Sequence, residues 1–555
     1  MLAEFKDWIF LNKLKTRLLI FNLALFGTAV FFYHLGILPI IKTGDLIFWL
    51  ILIFALALYR PGWAFLFFVG ALVLENISLT ASEMGITLRI YQALGTLIVV
   101  ALVIRQILKK SGLNLFRLKI PDYLILLFLV GSLLSSLFSV QKVASLKITL
   151  IIFSFTALYF LTRAYIQDQI DLKKVMPFFL VSAVGVVIYG ILQNVFFIQG
   201  LAFHGEIMPG RPNATFMEPD WLGIYLVFLV AIIYALIYYF NKERDNRLSL
   251  ISNDQFPISN KIPNLKFQKY LPIFVLYFFL TLVYILLILT VSRSAWLGAG
   301  FITLVFLKAI LTDFSWNFKN WQWKMFLHQT VFVVCAGVVS LLIIYGFNLT
   351  NFQLFNRVAS TGGLQKITIA CQLENYLSSK YDSTVPKIIN NISELEKYGC
   401  WHINLEDINK EKIAGNIIEE VYRPDPNINI RGQIFQKAWE TIKKQPFFGI
   451  GYGAIPVILG QDERGVNLNS SNIFLEVWLG SGLIGIVAFI FIWLNAVVVF
   501  IKRFWSANNE EEKTFALFVL LSIGAFLIPN LFNAGIFLMI LWFFWGIVPI
   551  KFNEK

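Results

Sequence analysis

Apolar and polar stretches alternate along this chain on a scale of about twenty residues, the length of helix that crosses a bilayer core. LPIFVLYFFLTLVYILLIL (271–289) and LIGIVAFIFIWLNAVVVF (483–500) show the pattern. The hydropathy gives fourteen candidate spans: 18–40, 44–59, 62–79, 89–108, 122–140, 145–166, 175–198, 220–240, 270–291, 294–312, 328–347, 472–501, 513–530 and 532–550. The runs are continuous, not alternating with period two, which excludes a transmembrane β-barrel. The expected fold is all-α: a polytopic helical membrane protein of about 12–14 transmembrane helices with one large outer-face loop domain.

The pattern divides the chain into four parts: N-terminal transmembrane helices (1–174), core helices with Arg-bearing loops (175–347), a large loop domain (348–471) and C-terminal helices (472–555). Within the large loop, 362–425 is polar and mixed in charge. Near its end Ile434, Phe435, Ala438, Trp439 and Ile442 recur at helical spacing. Pro446 stops that pattern, and Gly449, Gly451 and Gly453 follow as a flexible turn.

Composition agrees with the pattern: 58% of residues are hydrophobic and 14% charged, too little polar character for a soluble protein of 555 residues. The first apolar stretch, preceded by Lys6, Lys13, Lys15 and Arg17, has no clear small-x-small cleavage site and reads as a retained span. A net charge of +13 could point to nucleic acid, but the excess sits in short loops, where it orients the chain. With the N-terminus inside, the inner loops hold Lys109, Lys110, Arg117, Lys119, Lys173 and Lys174 among many, and the short outer loops only Lys42, Arg89, Lys142, Lys147, Arg211 and Arg293. Both termini are then cytoplasmic, and 199–219, Arg293 and 348–471 lie outside. Cys371 and Cys400 share one polar region, and an oxidising compartment would let them pair.

Walker, HExxH, CxxC and GxSxG signatures do not occur, and the four histidines show no metal-ligand spacing. What stands out is a set of outward arginines beside apolar helices: Arg211 in GRPNATFMEPDWLGIYL, Arg293 in SRSAWLGAG and Arg431 in NIRGQIFQKAW. Guanidinium groups hold phosphate oxygens through bidentate, charge-assisted hydrogen bonds and stay protonated when partly desolvated. Any one interfacial arginine is more simply a side chain snorkelling to headgroups. Gly480, Gly482 and Gly485 are more simply helix packing, and the triplet Asn213-Ala214-Thr215 a chance glycosylation sequon. The functional reading rests on the arginines sharing one face, where they suit a lipid carrying a phosphate or diphosphate.

These stretches resemble the O-antigen ligase/polymerase superfamily of bacterial envelope glycosyltransferases. Its members show R-x-x-G-T-F-x-x-P-N before one span and S-R-[GS]-A-W-L before another. A long outer loop follows with R-x-x-x-[WY]…[KH]-P-x-x-G-x-G, then H-N-x-x-L-E…G-x-x-G entering the next span. Here the counterparts are Arg211 to Asp220, Ser292 to Leu297, Arg431 to Gly453 (ending KKQPFFGIGYG) and SSNIFLEVWLGSGLIG, 470–485. The resemblance covers about 175–500. Two positions depart from it: Ala214 replaces the usual glycine, and Ser471 replaces the histidine that in the ligases is thought to activate the acceptor hydroxyl. A serine does not serve as a base near neutral pH, so His204, Glu218, Asp220, His402 and Glu476 become candidates for the base.

The resemblance implies transfer of a glycan from an undecaprenyl-diphosphate carrier to an acceptor hydroxyl, on the outer face of the bacterial inner membrane. The product would be O-antigen, lipopolysaccharide or exopolysaccharide. Arg211, Arg293 and Arg431 would bind the diphosphate, with Glu218, Asp220, Glu476 and Ser471 as the catalytic candidates. No DxD pair occurs in the outer loops, so no metal and no cofactor are expected. The partners are the lipid-linked donor, a glycan, lipid or protein acceptor, and membrane lipids; no nucleic acid is expected. Loss of the ligase histidine tilts the choice between polymerase and ligase toward polymerase. The alternatives are a solute transporter, disfavoured by the lack of paired broken helices and intramembrane charges, and a non-catalytic scaffold of envelope assembly.

Overall fold

The computed structural model describes residues 13–80, 87–110, 116–201, 208, 210–253, 263–314, 318–350, 354, 364–372, 385–403, 408–424, 426–461, 468–507 and 509–552. Its helices, in order, are α1 Lys13–His34, α2 Thr43–Tyr59, α3 Pro61–Ala71, α4 Ile90–Ile107, α5 Ile120–Phe138, α6 Lys142–Tyr165, α7 Gln169–Ile198, α8 Pro219–Asn253, α9 Pro263–Leu289, α10 Arg293–Thr312, α11 Trp323–Gly346, α12 Ile408–Ile413, α13 Pro426–Lys444, α14 Ile455–Leu459, α15 Ile473–Ser506, α16 Glu510–Asn530 and α17 Met539–Ile547. Among the described residues eleven helices are long and apolar enough to cross a membrane, and α2 adds a 17-residue apolar helix. The protein is an all-α polytopic membrane protein.

Two of the fourteen expected spans are not full helices. The stretch 62–79 is helical only to Ala71, and the stretch 532–550 contains only the nine-residue α17. Both still run from one end of the bundle to the other. Arg105, at the end of α4, donates to Leu58 O at 2.7 Å beside the start of α3, while Asn76 N donates to Thr215 O at 2.7 Å at the opposite end. Likewise Asn533 meets Ser294 at one end and Lys551 N reaches Gln167 O at the other. Irregular backbone survives at membrane depth only where protein covers it. Leu72, Val73, Leu74 and Ile77 are accordingly buried, as is every residue of α17.

The centre of the bundle is aromatic. In α17, Trp542 packs on Phe128 and Phe155, Phe543 on Phe179, Phe544 on Phe228 and Phe526, and Trp545 on Phe489 and Trp493. One short helix thereby touches α5, α6, α7, α8, α15 and α16. A helix apolar on every side belongs in an interior; the span of α8 is 89% buried for the same reason. At one end of the bundle Asp313, capping α10, binds Lys242 of α8 at 3.0 Å, Lys513 of α16 at 3.2 Å and Tyr238 OH at 2.7 Å. Burial opposes the charge on Asp313, but the two lysines outweigh it and hold its carboxyl below the usual carboxylate range.

The segment 362–425, for which the sequence offered no motif, contains a three-stranded antiparallel sheet of order β2-β1-β3, with β1 Leu364–Cys371, β2 Cys400–Ile403 and β3 Ile417–Pro424. Cys371 and Cys400 face each other in the β1–β2 register and are joined as a disulfide. Ile367, Ile369, Val385, Ile389, Leu395 and Val421 pack around it as a small separate core.

The two glycine runs are one feature. Helix α15 breaks at Gly482, which lies at φ 65° and ψ −168°. Into this break docks the segment after α13. Ile450 N and Gly451 N donate to Leu479 O at 2.8 and 3.2 Å, Leu483 N donates to Phe447 O at 2.9 Å, and Trp478 Nε1 donates to Pro446 O at 3.1 Å. Gly449–Gly453 is thus a docked strap, not the flexible turn expected from its glycines. A Cβ on Gly449 would lie 2.5 Å from Leu479 O, and one on Gly453 would lie 2.3 Å from Ser145 N of α6. Backbone neighbours of this kind cannot swing aside. Gly449→Ala and Gly453→Ala are therefore expected to lower the apparent melting temperature in detergent, at a cost of about 1–3 kcal/mol each. Gly432→Ala, within α13 where nothing lies within 4 Å of a new Cβ, should stabilise by up to about 1 kcal/mol. Melting curves that do not separate these variants would contradict the docked geometry.

Candidate functional site

The site is assembled from loops that meet at the end of the bundle opposite Asp313. The first precedes α8. Arg211 donates through Nε to Thr290 O at 2.8 Å, through Nη2 to Asp220 Oδ1 at 3.4 Å and through Nη1 to Met208 Sδ at 3.3 Å. Behind it the backbone is pinned to its neighbours. Gln193 of α7 donates to Asn213 Oδ1 at 3.0 Å and accepts from Ala214 N at 2.8 Å, and Asn213 donates to Phe216 O at 2.8 Å. Asn213 is completely buried, so the Asn-Ala-Thr triplet cannot accept a glycan. Ala214 lies at φ 46°, the left-handed region that favours glycine.

The second loop, Thr290–Ser292, turns the chain from α9 into α10. Val291 lies at φ 53°, unusual for a β-branched residue. Trp296 fixes the turn by donating from Nε1 to Leu287 O at 3.0 Å. Arg293 is the first residue of α10 and is half-buried. Gly223 of α8 allows close approach here, since a Cβ would come within 2.7 Å of the Ala295 methyl. The Arg211 clasp on Thr290 and this contact hold the first two arginine-bearing stretches together.

The third and fourth stretches meet across the break in α15. Ser471 lies at φ 49°, and its N–H donates to Asn469 Oδ1 at 2.9 Å. Asn472 caps α15, accepting from Phe474 N at 2.9 Å and Leu475 N at 3.2 Å. Its side-chain amide donates to Leu531 O at 3.1 Å. Arg431, on α13, stands 5.9 Å from the ring centre of Phe532. Between α13 and α15 runs an apolar groove of about 710 Å³, lined by Phe435, Trp439, Phe474, Trp478, Ile486 and Ile490, with Gln436 and Asn472 among its polar residues. Trp439 and Trp478 meet edge to face in its wall.

The carboxylates expected from sequence fall into different surroundings. Asp220 sits in the first turn of α8, is 28% exposed and faces Arg211. Glu218, at the head of that helix, is exposed. Glu476 is 6% exposed and accepts from Ser470 N at 2.9 Å, beneath the turn that carries Ser471. His402 is exposed on β2, and His204 lies outside the described residues. Among the described residues no three His, Cys, Asp or Glu side chains gather as a metal site would require. Sequence reasoning missed Gln193, Asn472 as a bridge, and the turn Pro529–Gly535, although P-N-L-F-N-A-G after an apolar run is a turn signal.

Residues 276–490 match the family model Wzy_C, described as O-antigen ligase. The match takes in Arg293, Arg431, Ser471 and Glu476 and begins beyond Arg211, which is fastened to it through Thr290. No curated protein and no solved structure matches the chain. Over residues 276–490 this integral membrane protein is similar to the O-antigen ligase family, which supports the O-antigen ligase/polymerase superfamily for that part of the chain.

Proposed function

We propose that this protein transfers a glycan from undecaprenyl diphosphate to an acceptor hydroxyl, with its large loop on the outer face of the bacterial inner membrane. The observation that carries the reading is the clasp of Arg211 on Thr290, which sets two arginine-bearing loops side by side. In the reaction the acceptor oxygen attacks the anomeric carbon and the bond from that carbon to the diphosphate oxygen breaks. The acceptor proton passes to a base, and undecaprenyl diphosphate leaves. Negative charge grows on the leaving group, and guanidinium groups fixed in advance stabilise it. Arg211 is suited to this: among the described residues its Nη1 rests on a thioether, a weak acceptor that a phosphate oxygen displaces. The apolar groove beside Asn472 suits an isoprenoid chain.

Asp220 is the favoured base. Its carboxylate is part-exposed and next to Arg211, where it can accept a proton or orient a hydroxyl. Glu218 follows it, while Glu476 supports the Ser470–Asn472 turn. Ser471 in place of the ligase histidine favours a polymerase, in which a growing glycan is the acceptor.

Three tests follow. Arg293→Ala should cut turnover of a lipid-diphosphate-linked glycan by about 10²–10³-fold at normal abundance, and Arg293→Lys should rescue poorly because a point charge lacks the bidentate fork. Full activity in Arg293→Ala would make that arginine a headgroup anchor. Asp220→Asn or Glu218→Gln should cost about 10²–10⁴-fold, with Ser471→Ala mild. Inactive Ser471→Ala together with active carboxylate variants would move the chemistry to the serine. Finally, single cysteines near 210, 293 and 350–470 should react with an impermeant reagent from outside, and those near 112, 250 and 318 from inside. Labelling of 350–470 from the cytosol alone would refute the sidedness.

A further inference from the structure

The seven residues Pro529–Gly535 lie beyond the family match, yet they touch three of the four motif stretches. Asn533 donates both hydrogens of its amide, one to Ser294 Oγ at 3.0 Å and one to Pro529 O at 3.1 Å. Leu531 O takes the amide of Asn472. Phe532 lies under Arg431. The turn itself is closed by Asn530, which is fully buried, donates to Phe526 O at 2.8 Å and accepts from Gly535 N at 2.8 Å. A Cβ at 535 would stand 2.6 Å from Asn530 Oδ1, so a larger residue there would displace the side chain that closes the turn. On the other side Pro529 packs against Gly298 of α10, leaving no room for a larger residue.

We propose that this turn is a further component of the glycosyl-transfer site and that Asn533 is a positioning residue, holding the first turn of α10, and so Arg293, in register with the Asn472 cap and Ser471. The inference rests on the function proposed above. The route is continuous: Ser294 neighbours Arg293, its hydroxyl is bound by Asn533, the same turn offers Leu531 O to Asn472, and Ser471 precedes Asn472. Asn472 divides its amide, the oxygen capping α15 and the nitrogen gripping the turn. A shift of the turn therefore moves the α10 start and the Ser471 loop relative to each other. Leu531 is 37% exposed, so the turn is reached from the surface, while the aromatic core around α17 lies behind it.

The test is a cycle of Asn533→Ala, Ser294→Ala and the double variant in full-length protein in detergent. Donor KM, kcat and apparent melting temperature are read with a polyprenyl-diphosphate-linked oligosaccharide. Misplaced binding groups predict a fall in kcat/KM of about 10- to 100-fold, carried mainly by donor KM, with melting unchanged. The double variant should be no worse than Asn533→Ala, since the bond that Ser294→Ala removes is already lost there. Asn533→Asp keeps the shape and removes both donors, so it should also fail, and more severely because it adds a negative charge near the donor's diphosphate. Asn533→Gln should recover part of the loss. Normal kinetics in both Asn533→Ala and Asn533→Asp would overturn the inference. So would a loss that follows lowered melting or adds fully in the double variant. Wild type and Arg293→Ala, run in parallel, separate the two readings: no turnover of the donor by wild type makes the function wrong, and an active wild type with Arg293→Ala dead while the Asn533 variants work makes only the positioning role wrong.

Discussion

An unpaired peptide group at membrane depth costs several kcal/mol, and the break of α15 at Gly482 is where this protein meets that constraint. The strap Phe447–Gly451 takes up Leu479 O and Leu483 N, so the helix can be interrupted without exposed polar backbone. The pairing also fixes the path of the chain. By fastening the end of the large loop to α15, it sets the distance between α13, which carries Arg431, and the Ser470–Asn472 turn at the head of α15. The groove between them exists because the two elements are tied at Trp478 and Pro446. The glycines at 449, 451, 453, 480 and 482 allow these close approaches, which is why their spacing runs through both motifs.

Three of the loops at the site carry a non-glycine residue with positive φ: Ala214, Val291 and Ser471. Such residues cost on the order of 1–3 kcal/mol each and persist only where the surroundings over-determine them. The surroundings here do so. Ala214 N is held by Gln193, the Val291 turn by Trp296 and by Arg211 on Thr290, and Ser471 N by Asn469. The usual glycine at 214 becomes intelligible, since alanine is tolerated only under this restraint. A histidine at 471 would also suit a left-handed position better than most residues. The replacement by serine therefore alters the chemistry of the position more than its backbone.

Much of this was legible in the sequence because lipid makes hydropathy a direct readout of crossing. The long helices emerged in the expected order, most with ends shifted by a few residues and α8 running on to Asn253 beyond the expected 240. Hydropathy misled at 62–79 and 532–550, because apolar residues suit a buried irregular segment or a short internal helix as well as a full span. The structure brings the stretches of Arg211, Arg293 and Arg431 to one end of the bundle. What no periodicity could reveal was which loops touch. The bonds Arg211–Thr290, Asn472–Leu531 and Asn533–Ser294 join residues 79, 59 and 239 positions apart. The sheet around Cys371–Cys400 was equally hidden, because its strands are short and interrupted by polar residues.

The carboxylates show how burial sorts roles that sequence leaves equivalent. Glu218, Asp220 and Glu476 all stand near a helix start on one end of the bundle. Glu476 is enclosed, and its carboxylate is committed to Ser470 N, so moving it would release the turn that shapes Ser471. Asp220 faces a guanidinium that has other partners and remains open to solvent. Under the proposed function, an anion that takes the Nη1 of Arg211 from Met208 would sit beside the Asp220 carboxylate, which the same guanidinium holds through Nη2. One side chain thus touches the α9–α10 turn, Asp220 and Met208 at once, and a change at any of the three is felt by the others.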